Sequence, residues 1–282
     1  MAQTQVTVSV DWLAQNLNDE NLVVVDGSWH LPPENRNPRA EFLAEHIPNA
    51  VFFDLDKHSR QDTDLPHMMP GAEQFAREMG ELGISEKNTI VIYDTTGLFS
   101  AARIWWMFRQ FGAANTFVLN GGLPAWIKAG HPLQSVITRR EPTIFNAHFT
   151  DDLIIGLEAM RAAVESEDGP LLLDARSAGR FFGRDPEPRA GSRGGHMPGA
   201  VSLPFITLLD SERKLLPSNE LQTIFDKVGY DPQRPTIATC GSGVTAGVIL
   251  LALAQLGHTD VPLYDGSWSE WGSLADTPVT TD

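Results

Sequence analysis

Short aliphatic runs recur along this chain: LVVVD at 22–26, TIVIY at 89–93 and TFVLN at 116–120, then PLLLD at 170–174, PTIAT at 235–239 and VPLY at 261–264. None alternates apolar with polar residues. Each therefore predicts a strand buried on both faces, as in a parallel sheet. Longer stretches with helical spacing lie between them. SAARIWWMFRQFG (100–112) and TAGVILLALAQLG (245–257) predict helices, each closed by a glycine suited to the position just past a helix end. Strand–helix alternation predicts α/β domains, each with a central, mostly parallel sheet flanked by helices.

The pattern also repeats. LVVVDGSW (22–29) echoes LLLDARSA (171–178), and EHIPNAVFFDL (45–55) echoes GHMPGAVSLPF (195–205). TIVIYDTTG (89–97) echoes PTIATCGSG (235–243), and VLNGGLPAWIKAGHPL (118–133) echoes LYDGSWSEWGSLADTP (263–278). Four matches in one order imply duplication of a module of about 130 residues. They align Asp26 with Asp174, His46 with His196, Asp94 with Cys240 and Trp126 with Trp271. The stretch 134–152 is polar and without strong period, and reads as the connection. The resulting division is an N-terminal domain over 1–138, a linker over 139–152 and a C-terminal domain over 153–282.

Composition narrows the function. Hydrophobic residues make up 42%, enough for real cores, and the net charge of −15 repels phosphate backbones, which argues against nucleic acid as a partner. An anionic substrate needs a local basic pocket. The single cysteine, Cys240, forms no internal disulfide, which suits a reducing compartment. The amino-terminal MAQTQVTVSVDWLAQNL has no basic region followed by an apolar core, and GVILLALAQLG is too short to span a bilayer. A cytoplasmic protein, off the membrane, is expected. There is no metal-ligand spacing of Cys, His, Asp or Glu, no phosphate-binding glycine loop and no dinucleotide fingerprint, so neither metal nor cofactor is expected.

Cys240 follows a predicted strand and precedes a predicted helix, through Gly241, Ser242, Gly243, Val244 and Thr245. Glycines permit tight curvature, so successive amides can point at one centre, and the helix start adds its unpaired N–H groups. Such a cradle favours the sulfur as thiolate, and it would equally hold a second sulfur attached to it. Cysteine is also a common core residue, but strand–glycine loop–helix is a poor context for mere filling. A cysteine phosphatase carries an arginine six residues after the nucleophile; here that position is Ala246, which argues against phosphoryl transfer.

With these motifs the chain resembles the two-domain sulfurtransferases of the rhodanese superfamily over nearly its whole length. CGSGVTA resembles the loop of 3-mercaptopyruvate sulfurtransferases, whereas thiosulfate enzymes place basic residues directly after the cysteine. The resemblance implies an enzyme in which Cys240 takes sulfur from 3-mercaptopyruvate as a persulfide, releases pyruvate, and passes the sulfur to a thiol, cyanide or a thioredoxin-type protein. It implies that Arg180 and Arg189, in the GRF and EPR elements, bind the substrate's carboxylate and keto oxygens, with the loop residues Gly241, Gly243, Val244 and Thr245 completing the substrate site. It places a histidine and an aspartate beside Ser242 as His67 and Asp56, in PHMMPG and FDLD; a proton relay and a loop-capping role are both open for His67. Arg176, Arg184 and Arg193 match no such element. Asp26, Asp174, His46, His196, Trp126 and Trp271 recur in the half lacking a cysteine, or align with it, and read as structural. A thiosulfate:cyanide sulfurtransferase and a persulfide carrier with little turnover are the alternatives.

Overall fold

The computed structural model describes residues 5–282; the first four residues, part of the stretch read above for a secretion signal, lie outside the described residues. The N-terminal half runs β1 (Thr7–Val8), α1 (Val10–Asn16), β2 (Leu22–Asp26), α2 (Pro38–Ala44), β3 (Val51–Phe52), α3 (Ala72–Glu81), β4 (Thr89–Tyr93), α4 (Ala101–Gln110), β5 (Thr116–Leu119) and α5 (Gly122–Lys128). The C-terminal half runs β6 (Ile154–Ile155), α6 (Leu157–Glu165), β7 (Leu171–Asp174), α7 (Ala178–Phe181), β8 (Ala200–Ser202), α8 (Ser218–Lys227), β9 (Thr236–Thr239), α9 (Ala246–Gln255), β10 (Leu263–Tyr264) and α10 (Ser267–Trp271).

Each half builds a five-stranded sheet, ordered β1-β5-β4-β2-β3 and β6-β10-β9-β7-β8, with every pairing parallel. The second order is the first with each strand number raised by five, as duplication requires. The central strands are those the aliphatic runs predicted: β2, β7 and β9 are buried at every position. The edge strands β1, β3 and β6 have only two residues each, too few to show a pattern. Gly112 and Gly257 sit just past α4 and α9 with φ of 92° and 93°, as expected of helix-ending glycines.

The repeated residues do matching work. His46 and His196 stack on Phe42 and Phe181, and their Nδ1 atoms bond the carbonyls of those same residues. Trp126 and Trp271 donate from Nε1 to the carbonyls of Pro132 and Pro278. The connecting piece is bound more tightly than its sequence suggested. Phe145 is buried edge-on against Phe75, and Thr143 and His148 donate to the carbonyls of Gly80 and Phe111.

One apolar core runs through both halves, and α4 packs on α9 at its centre. The contact is close because Gly247 has no side chain; a Cβ there would lie 2.7 Å from the Arg103 amide nitrogen. From β7 the chain crosses to one side of the sheet, and from β9 to the other. The carboxyl ends of β7 and β9 therefore flank the crevice where open α/β sheets bind ligands.

Candidate active site

Cys240 stands at that crevice, directly after β9, and is 2% exposed. Its loop is turned inside out by α10. The Cys240 carbonyl accepts from Trp268 N (2.9 Å), and the Gly241 carbonyl accepts from Ser269 N (2.8 Å) and Ser269 Oγ (2.6 Å). The Cys240 and Gly241 carbonyls are thus engaged by α10 and not by the loop itself. Among the described residues, none of the amides from Gly241 to Ala246 donates to a protein acceptor. Gly243 holds φ at 75°, a conformation that side chains disfavour.

The N-terminal half displays what such amides seek. Asp94 aligns with Cys240, and its carboxylate fills its own loop. Oδ1 accepts from Thr96 N and Gly97 N at 2.9 Å each; Oδ2 accepts from Phe99 N at 2.8 Å and Ala101 N at 3.0 Å. The corresponding amides after Cys240 have no carboxylate to bind. They are available to a thiolate, to a persulfide sulfur or to a substrate anion.

Above Cys240 opens a cleft of about 180 Å³, walled by Trp29, Leu31 and Phe99 from the N-terminal half and by Arg180, Arg189, Phe205, Val244 and Thr245 from the C-terminal half. A cleft of this size has room for a small acid beside Cys240. Both arginines expected from the sequence reach it, in different states. Arg180 is bound by Glu187 through Nε and Nη2, the latter at 2.5 Å, and its Nη2 covers Gly241. Glu187 is shared with Arg176, whose other partners are Asp174 and the Gly195 carbonyl. Arg189 has no carboxylate partner among the described residues and lies 6.0 Å from the centre of the Trp29 ring. Burial pulls its guanidinium below the ordinary range, and Cys240 pulls the other way. Arg189 is thus the cation of the cleft without a carboxylate partner among the described residues, with Arg180 held beside it by Glu187. Arg193 is occupied with carbonyls around Trp271–Thr277, and Arg184 lies over Phe182.

A polar chain crosses from one half to the other. Ser242 Oγ lies 2.9 Å from His67 Nδ1, and His67 Nε2 lies 2.9 Å from Asp56 Oδ1. A carboxylate only accepts, so Nε2 carries the proton and Nδ1 is left to accept from the Ser242 hydroxyl. Burial holds His67 below the usual histidine value, so the ring is neutral near pH 7, although Asp56 opposes that shift. Asp56 is held below the usual carboxylate range chiefly by its bond to His67. The Trp29 indole N–H supports both Asp56 oxygens at 3.1 and 3.2 Å, and the Trp29 ring meets His67 edge-on.

Four residues of this site escaped sequence reasoning: Trp29, Glu187, Arg103 and Asp265. Glu187 had a signal, since a run with several arginines needs an anion to order it. Trp29 sat at the end of a strand match whose companion, Ser177, is unlike it. Arg103 and Asp265 had none; they lie far apart in the chain and meet only where the halves pack.

Comparison with known proteins places the chain in a family. The rhodanese-like domain family matches twice, over residues 9–129 and 158–274. A 3-mercaptopyruvate sulfurtransferase of Escherichia coli (strain K12) is 42% identical over 273 residues, covering 96% of each chain. Thiosulfate/3-mercaptopyruvate sulfurtransferase 1, mitochondrial, of Arabidopsis thaliana is 41% identical over 300 residues, covering 99% of this chain and 79% of that one. The crystal structure of a 3-mercaptopyruvate sulfotransferase from Escherichia coli superposes with a TM-score of 0.85 at 40% identity, over 95% of this chain and 100% of that one. Two sheets of one topology, a single cysteine in an amide cradle and these relatives together make the chain a member of the rhodanese family, a sulfurtransferase with two tandem rhodanese-like domains.

Proposed function

We propose that the donor is 3-mercaptopyruvate. The observation that carries this reading is the Ser242–His67–Asp56 chain beside Cys240. When thiosulfate gives up sulfur, sulfite leaves as a stable anion and needs no proton. When mercaptopyruvate gives up sulfur, a carbon leaves as an enolate and must be protonated, which gives a proton relay work to do. The cation-free loop after Cys240 supports the same choice, because a small dianion bound at the sulfur would want charge there.

Arg189 and Arg180 hold the carboxylate and keto oxygen. The Cys240 thiolate attacks the substrate sulfur, the C–S bond breaks, and its electron pair passes to carbon as the enolate. The proton of the substrate thiol moves through Ser242 and His67 to that carbon, giving pyruvate. Asp56 stabilises the imidazolium that forms in passing. The outer sulfur of the Cys240 persulfide takes the loop amides. An acceptor thiolate, cyanide or a thioredoxin-type protein then attacks that sulfur, and the Cys240 thiolate returns. A cytoplasmic setting, where acceptor thiols are kept reduced, suits this second step. On this reading the substrate residues and Ser242 fall on the C-terminal unit over 153–282, and His67 and Asp56 on the unit over 1–138, with 139–152 between.

The test compares turnover on the two donors and follows Cys240 by intact mass. Pyruvate release with a gain of one sulfur, lost in Cys240→Ser, is expected. Preference for thiosulfate would replace the donor reading. Sulfur loading without repeated pyruvate release would make the protein a carrier.

A further inference from the structure

The proton relay joins two domains through one hydrogen bond, between Ser242 of the C-terminal half and His67 of the N-terminal half. His67 is moreover a non-glycine residue in left-handed backbone, with φ at 60°. Such a conformation persists only where the surroundings impose it. The groups that surround it are specific. Arg103, on α4, is 0% exposed, and its Nη2 donates both to the His67 carbonyl (2.6 Å) and to Asp265 Oδ1 (2.7 Å). The other Asp265 oxygen accepts from the amide of Met69 (2.6 Å). Asp265 follows β10 of the opposite half, so one carboxylate of the C-terminal domain grips the N-terminal domain at Met69 directly and at the His67 carbonyl through Arg103. The remaining Arg103 nitrogens, Nε and Nη1, are buried without a hydrogen-bond partner among the described residues. Nη1 lies 3.0 Å from where a Cβ of Gly243 would sit, under the cysteine loop. A fully buried cation that leaves donors unused is costly to the fold, and a fold-holding pair would be expected to satisfy them.

We infer that Arg103 and Asp265 are positioning residues for the sulfurtransfer reaction: a cross-domain clasp that fixes the His67 backbone so that its ring meets Ser242 when the domains are docked. Neither residue touches substrate. The clasp sets the distance across which the proton moves, so its loss lowers turnover and leaves substrate binding, governed by Arg180 and Arg189, in place. This rests on the relay reading given above.

The experiment uses the full chain carrying Asp265→Asn, Arg103→Lys, His67→Asn, and Asp265→Asn combined with His67→Asn. Asparagine still offers an oxygen to Met69 N, and lysine keeps the charge on a shorter stem. Mercaptopyruvate turnover is measured with the rate of Cys240 alkylation by iodoacetamide, which reports an intact cysteine loop without needing a proton relay. A misplacement of about 1 Å costs on the order of 10²-fold. The expected result is a fall of that size in kcat for both clasp variants, with KM and alkylation within about twofold. Asp265→Asn should add nothing once His67 is already asparagine. Full additivity in the double variant, unchanged kcat in both single variants, or loss of cooperative unfolding in both overturns the clasp. If His67→Asn alone retains full turnover, it is the relay reading that fails.

Discussion

Replacing Asp94 with asparagine tests the central comparison of the two loops. The Asp94 carboxylate is buried and accepts four backbone N–H groups, two on each oxygen, at 2.8 to 3.0 Å. Asparagine keeps one acceptor oxygen and turns an NH₂ toward the other pair of amides, donor against donor. Two charge-assisted bonds are lost at about 1.5–3 kcal/mol each, so Asp94→Asn should cost about 3–6 kcal/mol of stability. That is a large part of the ~5–15 kcal/mol that holds a typical fold. Urea unfolding followed by tryptophan fluorescence measures it, since Trp105 and Trp106 lie on the helix that follows the loop. Cys240 alkylation should stay near the wild-type rate below the transition, because the second loop is built separately. A cost under about 1 kcal/mol would mean that these amides do not grip an anion, and the reading of the matching amides after Cys240 would fall with it.

Arg189→Ala should raise KM for mercaptopyruvate about 10- to 10²-fold, the loss of a charged hydrogen-bonded contact, while Cys240 still alkylates; a steady-state titration checks it. Gly243→Ala forces a side chain onto φ of 75° and within 3.0 Å of Arg103 Nη1, so persulfide formation should slow at least ~10-fold with about 1–2 kcal/mol of lost stability, read by intact mass and by denaturation. The proposed relay requires neutral His67. Burial lowers its pKa, so activity should hold through pH ~6.5 and fall only below it, as the ring gains a proton. Asp56 favours the protonated ring, so Asp56→Asn should move that acid limb to still lower pH while reducing the plateau about tenfold. A limb that moves upward in a pH–rate profile would contradict this assignment.

What could be read from the sequence followed periodicity and spacing. Buried central strands are continuous aliphatic runs, so β2, β4, β7 and β9 announced themselves, and their repetition exposed the duplication. The cysteine loop was legible because strand, glycines and helix are neighbours in the chain. Arg180 and Arg189 were found through motif resemblance, but their inequality was not. Only the fold brings Glu187 against Arg180 and leaves Arg189 without a carboxylate partner among the described residues. The contact between His67 and Ser242 spans 175 positions, and the clasp between Arg103 and Asp265 spans 162. Contacts of that separation leave no periodic trace. They arise from how α4 and α9 pack, which turns on the absence of a side chain at Gly247.

The duplicated halves divide the chemistry along that packing surface. One loop closes on its own carboxylate, and its helix α4 begins seven residues after Asp94; the other begins α9 six residues after Cys240 and leaves its amides open. The first loop is therefore inert toward anions, because its anion is built in and cannot leave. The second can exchange one anion for another, as carrying sulfur demands. The inert half nevertheless supplies His67, Asp56, Trp29 and Arg103 to its neighbour's site. In the proposed reaction sulfur is held by one domain, and the proton passes between Ser242 of that domain and His67 of the other. A persulfide could form at the C-terminal loop alone, whereas with the proposed donor and relay, release of the carbon leaving group requires both domains docked. The cysteine-free copy thus has a physical reason to keep its polar face toward the cleft, although its own cradle is permanently filled.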